Sequence, residues 1–209
     1  MTAATLVLVR HGETTWNRDR RVQGWAPSTL TDRGEREARA VGAHLADAHD
    51  VDGVVHSDLR RTVETARWIV GAHDRSPRRC PDPAWRERDF GVLQGLTYEE
   101  LFVGYPEFSL LESGGRAASA RPEGGESWLD LRERVLAAWR RLCGAVEPGR
   151  TVCVVTHGGP IRAILAAHHG LGPVEAVADL EADNCGVTTF RVDEAIDLCG
   201  ENETPWTVS

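Results

Sequence analysis

The sequence predicts an α/β fold with a three-layer core, and three observations carry that prediction. Two short, mostly branched apolar runs, Leu6–Val9 and Val152–Val155, each give way abruptly to a histidine and glycine, at His11-Gly12 and His157-Gly158-Gly159. Uninterrupted apolar runs of this length suit strands covered on both faces. Between them lie segments with apolar residues at helical spacing, such as Ala38, Val41 and Leu45. At 209 residues the chain is long enough to bury such a core within one domain spanning 1–209.

Composition narrows the function classes. The chain is 41% hydrophobic and 27% charged, with a net charge of −8, which argues against nucleic acid or an anionic membrane as the main partner. Any anion site must be a local positive pocket on an acidic surface. All 24 basic residues are Arg, so a phosphate-binding P-loop lysine is excluded. No apolar run reaches membrane-spanning length and no export signal opens the chain, so a cytoplasmic location is expected. The five cysteines, Cys80, Cys143, Cys153, Cys185 and Cys199, form no Cys-x-x-Cys and are expected as thiols. Asn202-Glu203-Thr204 fits a glycosylation pattern that a chain without an export signal would not use.

In chain order, the first apolar run reads as a strand whose carboxyl end carries Arg10, His11 and Gly12. That is where open α/β sheets bind ligands. Arg10 offers a fork of donors to a phosphate or carboxylate, Gly12 lets backbone approach a ligand, and His11 titrates near neutrality. A lone Arg-His pair would read as a polar strand end. The longer string Arg10-His11-Gly12-Glu13-Thr14-Thr15-Trp16-Asn17 resembles the signature of the histidine phosphatase superfamily, the phosphoglycerate mutase-like proteins. The resemblance implies a phosphoglycerate mutase-like three-layer α/β/α sandwich with a mostly parallel central sheet. It also implies that His11 takes up a phosphoryl group.

Residues 18–29 read as a loop. Within it, the resemblance gives Gln23 and Gly24 a place closing over the phosphate, whereas the residues alone read equally as a turn with an exposed Trp25. Thr31 suits the N-cap of a helix carrying Ala38, Val41 and Leu45. Gly53–Ser57 reads as a second strand leading into a helix. There Ser57, Leu59, Arg61, Thr65 and Ala66 resemble the family segment Ser-x-Leu-x-Arg-Ala-x-x-Thr-Ala, with Thr62 replacing Ala. The match selects Arg61, not Arg60, as the second phosphate-binding arginine; alone, both read as surface residues. Residues 75–83 form a connection with a short edge strand.

Trp85 to Gly95 resembles the family segment Leu-x-Glu-x-x-x-Gly-x-x-x-Gly, with Trp85 replacing Leu, and Glu87 falls on the acid/base carboxylate. Pairing with Arg86 or Arg88 is the plain alternative for Glu87, and Asp89 is the fallback acid. Thr97–Leu101 reads as a short helix opening an irregular stretch. By the resemblance, residues 96–125 cover the pocket. In mutases that insertion is longer and carries more basic residues for the substrate carboxylate; here only Arg116 and Arg121 could serve. Ser127 and Asp130 suit the cap of a helix with Trp128, Leu131, Val135, Ala138 and Leu142 on one face, and the resemblance of Pro122-Glu123-Gly124-Gly125-Glu126-Ser127 to small phosphatases of the family places Glu126 near the active-site rim.

Thr151–Thr156 reads as a strand ending at His157, and Pro160 suits the first turn of the next helix. The resemblance makes His157 the second imidazole of the site, cationic and facing the phosphoryl oxygens, beside Gly158. His168-His169 read as a helix end. Val187–Val192 reads as a late strand, and the acidic tail to Ser209 as without chemistry.

Together these matches imply a phosphatase acting on small phosphate monoesters. Its catalytic residues would be His11, Glu87, His157, Arg10 and Arg61. Its phosphate contacts would come from Arg10, Asn17, Gln23, Gly24, Arg61, His157 and Gly158. No metal and no cofactor are implied; bisphosphoglycerate priming enters only for a cofactor-dependent phosphoglycerate mutase, the first alternative. A non-catalytic phosphate-binding module is the second. The expected partner is a small phosphorylated metabolite, with no nucleic acid and no membrane, and a homodimer is compatible. Trp16, Trp25, Phe102, Tyr105 and Phe108 read equally as core or as a surface for a ring-bearing leaving group.

Overall fold

The computed structural model describes residues 2–204. The opening run forms β1 (Ala4–Arg10), and Thr14 caps a short α1 (Thr15–Arg18) through a reciprocal box with Asn17. Thr31 caps α2 (Asp32–Ala48) by accepting from the Gly34 N–H. β2 (Gly53–His56) leads into α3 (Arg60–Ala72), and β3 (Arg78–Pro81) is fully exposed, as an edge strand should be. The irregular stretch resolves into α4 (Tyr98–Gly104), capped by a Thr97–Glu100 box, α5 (Leu110–Ser113) and single 3-10 turns. Ser127 and Asp130 form the capping box of α6 (Trp128–Ala145). β4 (Thr151–Thr156) and α7 (Gly158–His169) follow, then α8 (Pro173–Ala178), β5 (Val187–Val192) and β6 (Ile196–Glu203).

The six strands make one sheet in the order β3-β2-β4-β1-β5-β6. The pairs β1–β4, β2–β4 and β2–β3 are parallel, while β1–β5 and β5–β6 are antiparallel. Side chains alternate across the sheet, so β1 serves two cores at once. Leu6 and Leu8 pack with Leu131, Val135, Ile161 and Ile164 of α6 and α7. Val7 and Val9 pack with Ala38, Val41, Ala66 and Ile69 of α2 and α3. Each fully buried Leu, Val or Ile side chain among these contributes about 1.5–3 kcal/mol, which is why β1 reads as a continuous apolar run. A third small cluster, Val22, Leu93 and Leu101 with Phe90, Phe102 and Phe108, anchors the stretch that covers the cavity.

Four elements escape the sequence reading, and α1 and α5 have only four residues each. α8 is only six residues long. β6 falls in the expected acidic tail: Asp197, Glu201 and Glu203 hide its strand character, and pairing with β5 supplies what periodicity does not. The tail from 205 onward lies outside the described residues. The cysteines are free thiols, with Cys153 and Cys185 buried. Among the described residues no helix is long and apolar enough to cross a membrane.

Candidate active site

The site is set by sheet register. Arg10 pairs with Thr156 across the parallel β1–β4 contact, so the next residues, His11 and His157, leave adjacent strands side by side. Their ring centroids lie 5.2 Å apart, edge to face. The backbone around them is tied down: the His11 N–H donates to the Thr156 carbonyl, the Gly12 N–H to the Thr65 hydroxyl, and the Asn184 amide to the His11 carbonyl.

Both imidazoles are buried and neutral. His11 Nδ1 lies 2.8 Å from the Gly12 carbonyl, which can only accept, so Nδ1 carries the proton and Nε2 holds a lone pair. Burial, then Arg61 and Arg10, push the His11 pKa well below its ordinary value. His157 Nδ1 accepts from Nε of Arg61 at 3.2 Å, so its proton is on Nε2, 2.9 Å from the Ser57 hydroxyl. Burial, then Arg61 and His11, hold His157 well below the ordinary value too. The expectation of a cationic His157 is therefore corrected: two guanidiniums and a dry environment disfavour a third positive charge. His157 is 0% exposed and stands behind the cavity wall rather than on it.

Arg61 lies in the first turn of α3 and is 1% exposed, while Arg60 pairs with Glu64 at the surface. Besides His157, Arg61 donates to the Gly24 and Ala26 carbonyls at 2.7 and 3.2 Å. It thereby holds the 23–26 loop over the site, and burial lowers its pKa to about 10. Arg10 donates to the Ala182 carbonyl, while its Nε is buried without an acceptor.

Glu87 is aimed by backbone. Its Oε1 accepts from the Arg88 N–H at 2.8 Å and its Oε2 from the Gly159 N–H, in the first turn of α7, at 3.1 Å. A side chain at position 159 would put its Cβ 2.0 Å from Glu87 Oε1, so any residue but glycine there would displace the carboxylate. Arg134 fixes the segment by donating to the Ala84, Arg86 and Glu87 carbonyls, and it pairs with Glu126 at 2.7 Å. Trp25 is not a loose aromatic: its indole N–H donates to the Glu87 carbonyl at 2.7 Å, joining the 23–26 loop to the acid.

A cavity of about 440 Å³ opens above these groups. Arg10, His11, Asn17, Gln23, Gly24, Arg61 and Glu87 are all on its wall, whereas Asp89 and Gly158 are not. Gln23 Oε1 lies 2.6 Å from the Ser28 hydroxyl, leaving the amide NH₂ available, and Asn17 Oδ1 accepts the Thr14 N–H. The outer wall is apolar, with Phe90, Phe102, Phe108 and Trp128; Trp16, Trp25 and Tyr105 do not line it. Of the stretch 96–125, Tyr98, Leu101, Phe102 and Phe108–Leu111 line the cavity.

Three further expectations are corrected. Gly12 makes room for protein, not ligand: a Cβ there would stand 2.4 Å from the Gly34 carbonyl oxygen of α2. Arg116 and Arg121 do not reach the cavity wall, and Arg121 pairs with Asp130. Glu126 is committed to Arg134 and the Asp89 N–H. Sequence reasoning missed Arg134, Tyr98 and Arg162. Only Arg162 left a local signal, since a residue one turn beyond Gly158 shares its helix face. Among the described residues no group of three His, Cys, Asp or Glu is arranged to hold a metal ion.

A sequence model of the histidine phosphatase superfamily (branch 1) matches residues 6–196. The chain is 38% identical over 190 residues to phosphoglycerate mutase-like protein 4 of Arabidopsis thaliana, covering 90% of this chain and 80% of that one. It is 37% identical over 163 residues to a metal-independent phosphoserine phosphatase of the same plant, covering 76% of this chain and 66% of the other. Among solved structures, YhfR of Bacillus stearothermophilus superposes with a TM-score of 0.86 at 31% identity, over 97% of this chain and 98% of that one.

Proposed function

Because the chain belongs to the histidine phosphatase superfamily, we propose that it is a phosphatase that hydrolyses small phosphate monoesters through a phosphohistidine on His11. One observation carries the reading. With Nδ1–H committed to the Gly12 carbonyl, the open lone pair of His11 is Nε2, on a cavity wall that includes the Arg10 and Arg61 guanidiniums and the Glu87 carboxylate. A neutral imidazole is the form that can attack phosphorus.

Arg10 and Arg61 screen the phosphate dianion, and the Asn17 and Gln23 amides and the Gly24 backbone complete the cradle. His11 Nε2 bonds to phosphorus as the P–O bond to the alcohol breaks. The ring gains positive charge, and the Gly12 carbonyl keeps hold of Nδ1–H. Glu87 delivers its proton to the departing oxygen. Water then attacks phosphorus, its proton passes to Glu87, and the P–N bond breaks to release phosphate and neutral His11. His157 acts through Arg61, whose Nε it holds. Every step runs through side chains, so a chelator should leave turnover unchanged.

In the mutase alternative a sugar-acid hydroxyl replaces water. Its support is the likeness to a mutase-like protein, against which stands the distance of Arg116 and Arg121 from the cavity wall. The deciding experiment measures phosphate release from a panel of monoesters beside a coupled mutase assay primed with bisphosphoglycerate. Phosphate release without mutase flux supports the proposal; primed mutase flux without net hydrolysis overturns it.

A further inference from the structure

The peptide joining His11 to Gly12 is held at both ends. Its carbonyl oxygen accepts from the side-chain amide of Asn184 at 2.8 Å, and its N–H donates to the Thr65 hydroxyl at 3.1 Å. In a trans peptide these two groups point to opposite sides of the chain, so the pair of contacts fixes the plane against rotation. That plane sets where the Gly12 carbonyl lies, and the Gly12 carbonyl receives Nδ1–H of His11. The direction of the Nε2 lone pair therefore depends on how Thr65 and Asn184 hold the peptide.

Asn184 is carried by a braced turn. Residues 182–186 precede β5 and grip the end of β1 at three further points. Nη1 of Arg10 donates to the Ala182 carbonyl, the Arg10 N–H donates to the Gly186 carbonyl at 3.3 Å, and the Cys185 N–H donates to the Arg10 carbonyl at 3.1 Å. Cys185 is buried with a φ of +55°, in the left-handed region that a residue with a Cβ seldom adopts. Backbone strain of this kind persists only where the surroundings over-determine it, and it clusters at active sites. From behind, Oδ1 of Asn202 in β6 accepts the Asp183 N–H at 2.7 Å. Gly186 leaves space for that oxygen, since a Cβ there would lie 2.3 Å from it.

Asn184 is not on the cavity wall, so it can act only through His11. The other polar groups offered to phosphate, Arg61, Asn17 and Gln23, take none of their hydrogen bonds from it. We propose that Asn184 is a positioning residue for the nucleophile: by clamping the 11–12 peptide it aims Nε2 of His11 at phosphorus while leaving phosphate binding to other residues. The proposal rests on the phosphatase reading of the same site.

Two measurements on the full chain separate aim from binding. Single turnover of p-nitrophenyl phosphate under saturating enzyme reads attack by His11 as release of p-nitrophenolate. Titration calorimetry with inorganic phosphate reads the cradle. The variants are Asn184→Leu, which keeps the volume and removes the amide, and Asn184→Ala; the position is half-buried, so neither opens the core. In both, the single-turnover rate should fall about 10–100-fold, the scale of a misplaced reacting atom. Phosphate affinity should stay within about threefold of wild type. A rate within about threefold of wild type in either variant would overturn the assignment. So would a loss of phosphate affinity as large as the loss of rate, which would make the turn a general scaffold. A wild type that turns over without forming an acid-labile phosphoenzyme would instead overturn the phosphohistidine reading, and this assignment with it.

Discussion

Nε of Arg61 donates to Nδ1 of His157 across 3.2 Å, and that bond decides where the proton of the second imidazole sits. An arginine N–H can only donate, so His157 must accept on Nδ1 and donate from Nε2 to Ser57. Ser57→Ala leaves this buried N–H without an acceptor. The expected cost is about 1–3 kcal/mol of stability, read as a lowered midpoint in denaturant with an unchanged slope.

Arg61→Lys should be far from conservative. A lysine cannot serve His157 and the Gly24 and Ala26 carbonyls together, so the 23–26 loop loses its anchor. kcat/KM on p-nitrophenyl phosphate should fall about 10²–10³-fold, the range for loss of one preorganised electrostatic donor. A variant within threefold of wild type (roughly 0.7 kcal/mol in barrier) would remove Arg61 from the phosphoryl clamp.

His11→Ala should abolish a phosphoenzyme that is labile in acid and stable in base. Turnover should drop by several orders of magnitude, as when other covalent nucleophiles are removed. Rapid-quench labelling of wild type and variant checks both.

Glu87→Gln should show its effect through the leaving group. Loss of a general acid costs about 10²–10⁴-fold where the alcohol is a poor leaving group, and much less for p-nitrophenol. Gly159→Ala should act in the same direction by displacing Glu87 Oε1. Equal losses on alkyl and aryl esters would assign Glu87 to binding instead.

Acid should destabilise the fold before it protonates the site. Unfolded histidine takes up a proton below about pH 6.5, whereas folded His11 and His157 resist until well below that. In that window the unfolded chain binds more protons, so stability falls as pH drops from about 6.5 toward the folded pKa and is fully present above it. Each imidazole contributes a slope of up to about 1.4 kcal/mol per pH unit. Denaturant melts at about pH 7.5 and about pH 5.5, with His157→Gln as the one-imidazole control, measure it. For the same reason the acid limb of kcat/KM should lie below the ordinary histidine range.

Much of the site was legible in the chain. The apolar runs ending in His11 and His157 are local patterns, and burial on both sheet faces demands them. The segment around Ser57 and Thr65 selected Arg61 over Arg60, and the structure separates the two by burial in the same way. What the sequence by itself determined was therefore the α/β class and the polar groups at the two strand ends, because strand burial is a property of short stretches, whereas Arg61 and Glu87 were singled out only by the family resemblance. Only the tertiary structure decided that His157 is neutral, that Gly12 accommodates α2, that Arg116 and Arg121 stand off the wall and that Arg162 stands on it. Each of these depends on distances between residues far apart in the chain, set by the β1–β4 register and the packing of α7 against Glu87, and no local pattern encodes such distances.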